Sequence, residues 1–498
     1  MTVDWQCTFL SLRMAHPSLT LHILKKMGNT IEGLAEPISV KQTDIGCIEV
    51  PGSSGAKHKS KHNEEPCPTI RYAASSMQGW RLSMEDAHIL SPSLTIPLPD
   101  SKWPGSLTLY DHAFFAVFDG HGGSFTSTYA SEQALRVLTS RKEWADYVQL
   151  SETNRGDTPG VHLLESALIG TFLDLDEELH SEHLRNLEEV LAKEESRQTT
   201  EGCRDVGAIR QLLTTSVQSN SAEEGGVELF LSSIQQGAIK VDRSGSTAVG
   251  VLITPTHILC VNAGDSRAMI VKSGIALPLS FDHKPTNPSE LCRILDAGGD
   301  VKSKRIDGDL AVSRGLGDFR FKDSELPPRG SKVTATPDII INPRHKDDEF
   351  VLLACDGVWD VMDTAQCGKA VQEILDEGET DIGLVCEELL DRCLDLDSRD
   401  NMTACLVVFP GCSFMQRVGK EHNNRGGVQA LRDRRRTEKL ATRESKQIRP
   451  MQLREVLPKS NQLPIKKKKG SRVTRNDGSV AKKKMPDEVV SQVHALSE

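Results

Sequence analysis

Phe114-Phe115-Ala116-Val117-Phe118-Asp119-Gly120 and Val351-Leu352-Leu353-Ala354-Cys355-Asp356-Gly357 share one design, an apolar run that ends in Asp-Gly. A short continuous apolar run closed by a turn dipeptide reads as a strand buried on both faces. Each run therefore delivers a carboxylate where a buried strand emerges. Asp-Gly is also a favoured turn dipeptide in its own right, and one occurrence would not separate the two readings. Two occurrences favour a shared site.

Working outward, similar runs stand at Thr247–Ile253, Ile258–Val261, Ala268–Val271 and Thr403–Phe409, and Pro255-Thr256 between two of them implies an antiparallel connection. Helical periodicity is expected over Ser124–Ser140, Val161–Lys193, Ser289–Ala297, Thr364–Leu375 and Ile382–Leu394. From about Arg71 to Phe409 this is one mixed domain of strands and helices. Asp400 immediately precedes the Thr403 run, Asp242 precedes Ser244-Gly245-Ser246-Thr247, and Glu85-Asp86 lie upstream. Carboxylates gathered at one end of a sheet repel unless protonated or bridged by a cation, so a cluster of them implies a metal site. An all-oxygen ligand set points to Mg²⁺ or Mn²⁺ over zinc, since no His/Cys cluster accompanies it.

The chain has 498 residues, 38% hydrophobic and 26% charged, a soluble globular balance with no apolar stretch long enough for a spanning helix. Twelve scattered cysteines form no C-x-x-C pair and read as reduced core thiols. With no secretory signal recognisable, the expected setting is intracellular, cytoplasmic and/or nuclear. The net charge of −10 hides an asymmetry: residues 415–498 carry 22 basic against 9 acidic side chains, a surplus of 13, which leaves −23 on the rest. The expected organisation is a flexible extension over 1–65, a catalytic domain over 66–414 with a surface insertion at about 194–228, and a basic disordered tail over 415–498.

Nine motifs in order resemble the metal-dependent type 2C serine/threonine protein phosphatases: Gly79-Trp80-Arg81-Leu82-Ser83-Met84-Glu85-Asp86-Ala87-His88, Asp119-Gly120-His121-Gly122-Gly123, Ser244-Gly245-Ser246-Thr247-Ala248, Asn262-Ala263-Gly264-Asp265-Ser266-Arg267, Asp282-His283-Lys284-Pro285, Ala311-Val312-Ser313-Arg314, Thr336-Pro337-Asp338, Asp356-Gly357-Val358-Trp359-Asp360 and Asp400-Asn401. One departure is Gly315, where the family usually has Ala; another is a long gap between Asp119 and Asp242. The resemblance implies an α+β fold, a four-layer α/β/β/α sandwich of two packed antiparallel sheets flanked by helices. It implies that Asp119 bridges two metal ions, that the Gly120 carbonyl, Asp356 and Asp400 complete their shell, and that Glu85 and Asp86 act nearby through bound water. It gives Asp242 to a weaker third ion. The implied reaction is attack of a metal-bridging water or hydroxide on phosphoserine and phosphothreonine in phosphoprotein substrates.

Physical chemistry fits those roles. Arg81 offers a planar fork suited to phosphate oxygens; outside this motif a surface salt bridge would be the plainer reading. His121 is placed to protonate a Ser/Thr alkoxide, a hard leaving group. Gly120-His121-Gly122-Gly123 lacks the Gly-Lys-Ser/Thr of a nucleotide-binding loop, and Gly317-Asp318-Phe319 has the wrong order for a kinase metal motif. His180 and His183 read as a solvated helix face rather than a zinc site. In the tail, Lys466–Lys469 and Lys482–Lys484 resemble a bipartite signal for a nuclear import receptor, or equally a weak, salt-sensitive nucleic-acid contact. A catalytically silent regulator and a nucleic-acid-binding protein led by the tail are the rivals; intact acidic motifs oppose the first, and an acidic body opposes the second.

Overall fold

The computed structural model describes residues 37–49, 69–98, 105–198, 242–323, 325–412, 427–434 and 437. The chain divides into two units, Met1–Arg435 and Arg436–Glu498, and the second holds only one described residue, Thr437.

Among the described residues, the main strands are β1 (Ile38–Glu49), β2 (Thr69–Gly79), β3 (Ala87–Ser91), β4 (Ala113–Phe118), β5 (Ala248–Ile253), β6 (His257–Ala263), β7 (Arg267–Lys272), β8 (Ile275–Pro278), β9 (Asp338–Pro343), β10 (Asp348–Ala354) and β11 (Met402–Val408). They form two sheets, ordered β1-β2-β11-β10-β7-β8 and β9-β6-β5-β4-β3. Every pairing in them is antiparallel. The main helices are α1 (Phe125–Ser140), α2 (Lys142–Gln149), α3 (Thr158–Gln198), α4 (Pro288–Asp296), α5 (Asp356–Trp359), α6 (Thr364–Asp376), α7 (Ile382–Asp395) and α8 (427–434).

Side chains alternate across a strand, so a run that is apolar throughout must bury both faces. In β4, Ala113, Phe115 and Val117 meet Val351 and Leu353 of β10 in the layer between the sheets. The opposite residues, Phe114, Ala116 and Phe118, pack with Leu138 of α1, Trp144 of α2 and Leu168 of α3. Likewise Phe350, Leu352 and Ala354 of β10 pack under Ile374 of α6 and Leu389 of α7. Three apolar layers between four structural ones make the expected α/β/β/α sandwich. No described helix is long and apolar enough to cross a membrane. Of the nine described cysteines, all but Cys47 and Cys292 are buried; Cys7, Cys67 and Cys203 lie outside the described residues.

Three sequence expectations need correction. The 1–65 extension supplies β1, which pairs with β2 from Ile38↔Gly79 to Glu49↔Thr69. This edge strand leaves Val40 and Ile45 exposed and buries Ile48, so backbone pairing rather than an apolar run holds it, and the run-based reading had nothing to detect. The helix α3 continues to Gln198, into the start of the 194–228 insertion, whose remainder lies outside the described residues. Residues 427–434 of the supposedly disordered tail are helical, with Val428 buried in the core beside α7.

Candidate metal centre

Register brings the acidic motifs to one end of the sandwich. Phe118 pairs with Ala87, which places Asp119, just past β4, beside Asp86, just before β3. Ala354 pairs with Ala404, which places Asp356, at the start of α5, beside Asp400, just before β11. The two apolar runs ending in Asp-Gly are thus neighbours across the sandwich, one from each sheet.

Ligand-type atoms of Asp86, Asp119 and Cys355 all lie within 4.8 Å of one another. Burial, reinforced by neighbouring carboxylates, raises Asp86 to about 7 and Asp356 to about 8, and holds Asp119 well above its ordinary value. The charges facing Asp119 are Asp356, Asp86, Asp265 and Asp400. Thr403 Oγ1 donates to Asp86 Oδ2 at 2.7 Å, while Asp86 Oδ1 is buried with no hydrogen-bond partner. Burial also pushes the Cys355 thiol well up, so it stays protonated and donates to the Asn401 carbonyl at 3.5 Å. What remains is a buried, oxygen-only donor set with an unpartnered oxygen and unrelieved repulsion, which fits a hard divalent cation and not zinc.

Asn401 ties these loops together. Its Oδ1 accepts the Glu85 N–H at 2.9 Å, its Nδ2 donates to the Gln78 and Ser83 carbonyls at 2.8 and 2.9 Å, and its own N–H donates to Asp400 Oδ1 at 2.8 Å. Ser83 Oγ and the Gly123 N–H donate to the Glu85 carboxylate at 2.6 and 3.2 Å. Gly120 is required by space: a Cβ there would lie 2.2 Å from the Glu85 carbonyl oxygen. The Asp119 carbonyl accepts Thr247 N–H at 2.9 Å and Ser246 Oγ–H at 3.2 Å, so the Ser244–Thr247 motif fixes the Asp119 backbone.

Arg81 Nη2 lies 2.5 Å from Asp400 Oδ2, its side chain 57% exposed. His121 Nε2 lies 2.6 Å from Asp318 Oδ2, and the Asp318 side chain is 1% exposed. Burial works against an imidazolium there, yet the hydrogen bond and charge of Asp318, with Asp265 and Glu85 behind, outweigh it and raise the His121 pKa. In the sequence Asp318 belongs only to Gly317-Asp318-Phe319, and a partner 197 residues away leaves no local signal.

Asp242 is not among the principal charges that raise Asp119 or Asp356. Its Oδ1 accepts the Ser244 N–H at 2.7 Å, the arrangement of an Asx turn. The acidic residues gathered round Asp356 are Asp265, Asp400 and Asp360, and burial raises the Asp360 pKa as well. Lys284 forms an ion pair with Asp265. Asp265, Lys284 and Asp360 were legible as motif members but carried no assigned role. His180 and His183 are not a solvated face: their rings pack 4.7 and 5.7 Å from Phe319, and burial lowers both pKa values. The best-defined cavity, of about 610 Å³, is lined by residues such as Asn262, Phe281, Arg314 and Ile339 and by none of the clustered carboxylates. The chemistry is placed by the cluster, not by this cavity.

Buried carboxylates at one end of paired sheets, flanked by a guanidinium and an imidazole, define a hydrolase of phosphoesters. The family model described as Protein phosphatase 2C matches residues 70–215 and 177–402. Protein phosphatase 1B of Rattus norvegicus is 35% identical over 351 residues, 70% of this chain and 73% of that protein. Protein phosphatase 1B of Bos taurus is 35% identical over the same length, but only 59% of that protein is covered. Protein phosphatase 1A of Homo sapiens is 35% identical over 353 residues, 70% of this chain and 74% of that protein. The chain belongs to the protein phosphatase 2C family, whose members are metal-dependent, and is a serine/threonine protein phosphatase.

Proposed function

We propose that this phosphatase works with two Mg²⁺ or Mn²⁺ ions held by Asp119, the Gly120 carbonyl, Asp356 and Asp400, with Glu85 and Asp86 acting through coordinated water. The observation that carries the reading is the unneutralised charge: Asp86, Asp119 and Asp356 are each raised by burial and by neighbouring carboxylates, and Asp86 Oδ1 has no hydrogen-bond partner. Such ions lower the pKa of coordinated water toward neutrality and so supply the nucleophile. A weaker third ion belongs with Asp265, Asp356 and Asp360 rather than with Asp242, in competition with the Lys284 ammonium.

The chain's own residues do the rest. Arg81, largely exposed, turns its planar fork from Asp400 onto the phosphate oxygens. Asp318 fixes the His121 ring and favours its protonated form, and that proton goes to the leaving Ser or Thr oxygen. Hydrolysis of a phosphothreonine peptide by the full chain, in chelator and then with Mg²⁺ or Mn²⁺, is the test. Turnover should appear only with the ion; full activity in chelator overturns the metal reading without touching family membership. For the segment beyond α8, the runs Lys466–Lys469 and Lys482–Lys484 support contact with an import receptor and a nuclear pool. Replacing both runs with alanine should leave the protein in the cytoplasm, and unchanged nuclear signal by imaging would end that reading.

A further inference from the structure

The helix α8 lies beyond the family match, which ends at residue 402. It sets Val428, 1% exposed, into the core on the outer face of the six-stranded sheet, with Leu431 packed beside it. Around that apolar anchor the ion pairs that tie the helix to the body all run to carboxylates of the body. Arg432 Nη2 lies 3.2 Å from both Glu387 and Asp391 on α7, and its Nε lies 3.5 Å from Glu388. Arg434 Nη2 lies 2.8 Å from Glu377. At the first turn the Val428 N–H donates to Glu379 Oε2 at 3.1 Å, where the positive end of the helix dipole favours an anion. One apolar socket is thus ringed by five carboxylates of α7 and the α6–α7 turn.

The socket is braced from its other side. Lys41 of β1 lies 2.7 Å from Asp391, and Thr43 Oγ1 donates to Glu387 at 3.0 Å, so these carboxylates stay in place without α8. The occupant is held less firmly. The Arg434–Glu377 pair is half-exposed on its arginine side and contributes little, and Arg432 Nε is buried without a hydrogen bond. A firm seat with a weakly held occupant exchanges it.

We propose that the carboxylate-ringed socket of α6–α7 is an exchangeable docking site for basic amphipathic helices, filled in cis by residues 427–434 and open, once α8 leaves, to a protein partner presenting an apolar residue with Arg four positions later. Charge complementarity and the spacing of Val428 and Arg432 define that partner. The site is separate from the metal centre, so it recruits rather than catalyses.

The test uses the full chain, a full-length V428D/R432E variant that empties the socket, and a labelled synthetic peptide spanning 424–438, read by fluorescence anisotropy. The variant should bind the peptide at least about tenfold more tightly than wild type, because the cis helix no longer competes, and raising salt from 50 to 300 mM should weaken binding severalfold. Adding Glu387→Lys to the variant should abolish it. Turnover of p-nitrophenyl phosphate by each protein reports that the body is folded. Equal binding by wild type and variant, no binding by either, or binding that survives Glu387→Lys in folded protein overturns the proposal.

Discussion

Arg81 Nη2 lies 2.5 Å from Asp400 Oδ2, so the guanidinium suited to phosphate rests on a carboxylate suited to a metal ion. On the proposed metal centre, a cation at Asp400 would take over the neutralising role and free Arg81 for substrate, which would couple metal loading to phosphate capture through one side chain.

Arg81→Ala should therefore weaken substrate capture more than metal binding. Hydrogen bonds from a charged donor contribute about 1.5–3 kcal/mol, which corresponds to a loss of roughly 10- to 100-fold in kcat/KM. Steady-state kinetics on a phosphothreonine peptide, with a Mn²⁺ titration alongside, checks both halves; unchanged kcat and KM would remove Arg81 from the site.

His121→Ala should slow phosphothreonine hydrolysis by about 10²–10⁴-fold, the usual range for a lost general acid. With p-nitrophenyl phosphate, whose leaving group needs no proton, the loss should be far smaller. An equal loss on both substrates would mean that His121 shapes the site instead of protonating the leaving oxygen.

Much of this was legible because the apolar runs are buried on both faces and announce themselves without partners. Phe114–Phe118 and Phe350–Cys355 became β4 and β10 within a residue or two, and their terminal aspartates converged as expected. What remained hidden depends on contacts distant in sequence. Asp318 acts through His121, Asp265 matters because it faces Asp356, and α8 looks like solvated tail until Val428 meets its socket. Asp242 is ambiguous in the sequence, because a carboxylate before Ser-Gly-Ser reads the same whether it caps a turn or faces a cluster.

The raised carboxylates dictate how metal-free stability responds to pH. A group whose folded pKa exceeds its unfolded value stabilises while protonated and loses that contribution as pH rises through the folded pKa. With Asp86 at about 7 and Asp356 at about 8, against an ordinary 3.8, protein in chelator should lose stability from pH 6 to pH 9. A fall in Tm on the order of 5 °C is expected, and Mn²⁺ should flatten it. A chelated protein that melts higher at pH 9 than at pH 6 would contradict the burial of these groups.

Asn401→Ala should remove the side-chain bonds to Glu85, Gln78 and Ser83 at once. A loss of about 2–4 kcal/mol in stability is expected, together with weaker Mn²⁺ activation, because the Glu85-Asp86 loop is no longer pinned beside Asp400. Urea unfolding and a metal titration measure the two effects. A destabilised variant with unaltered Mn²⁺ dependence would limit Asn401 to a structural role.

Asp356→Asn separates metal binding from folding most cleanly. Asp356 is pushed up to about 8 by burial and by the charges of Asp265, Asp400 and Asp360, so an uncharged isostere relieves repulsion in the empty site while nearly keeping its shape. In chelator the variant should melt no lower than wild type, and at pH 8–9 it should melt higher. Its activity should nevertheless collapse, since a ligand is gone. Wild type gains RT ln(1 + [L]/Kd) from Mn²⁺, roughly 2.7 kcal/mol at a hundredfold excess over Kd, and a weakened site gains less at the same concentration. Paired thermal melts, with chelator and with Mn²⁺, read all of this from one instrument. Equal stabilisation of both proteins by Mn²⁺ would show that Asp356 does not hold the ion, and would place the metal on the Asp86–Asp119 side of the cluster alone.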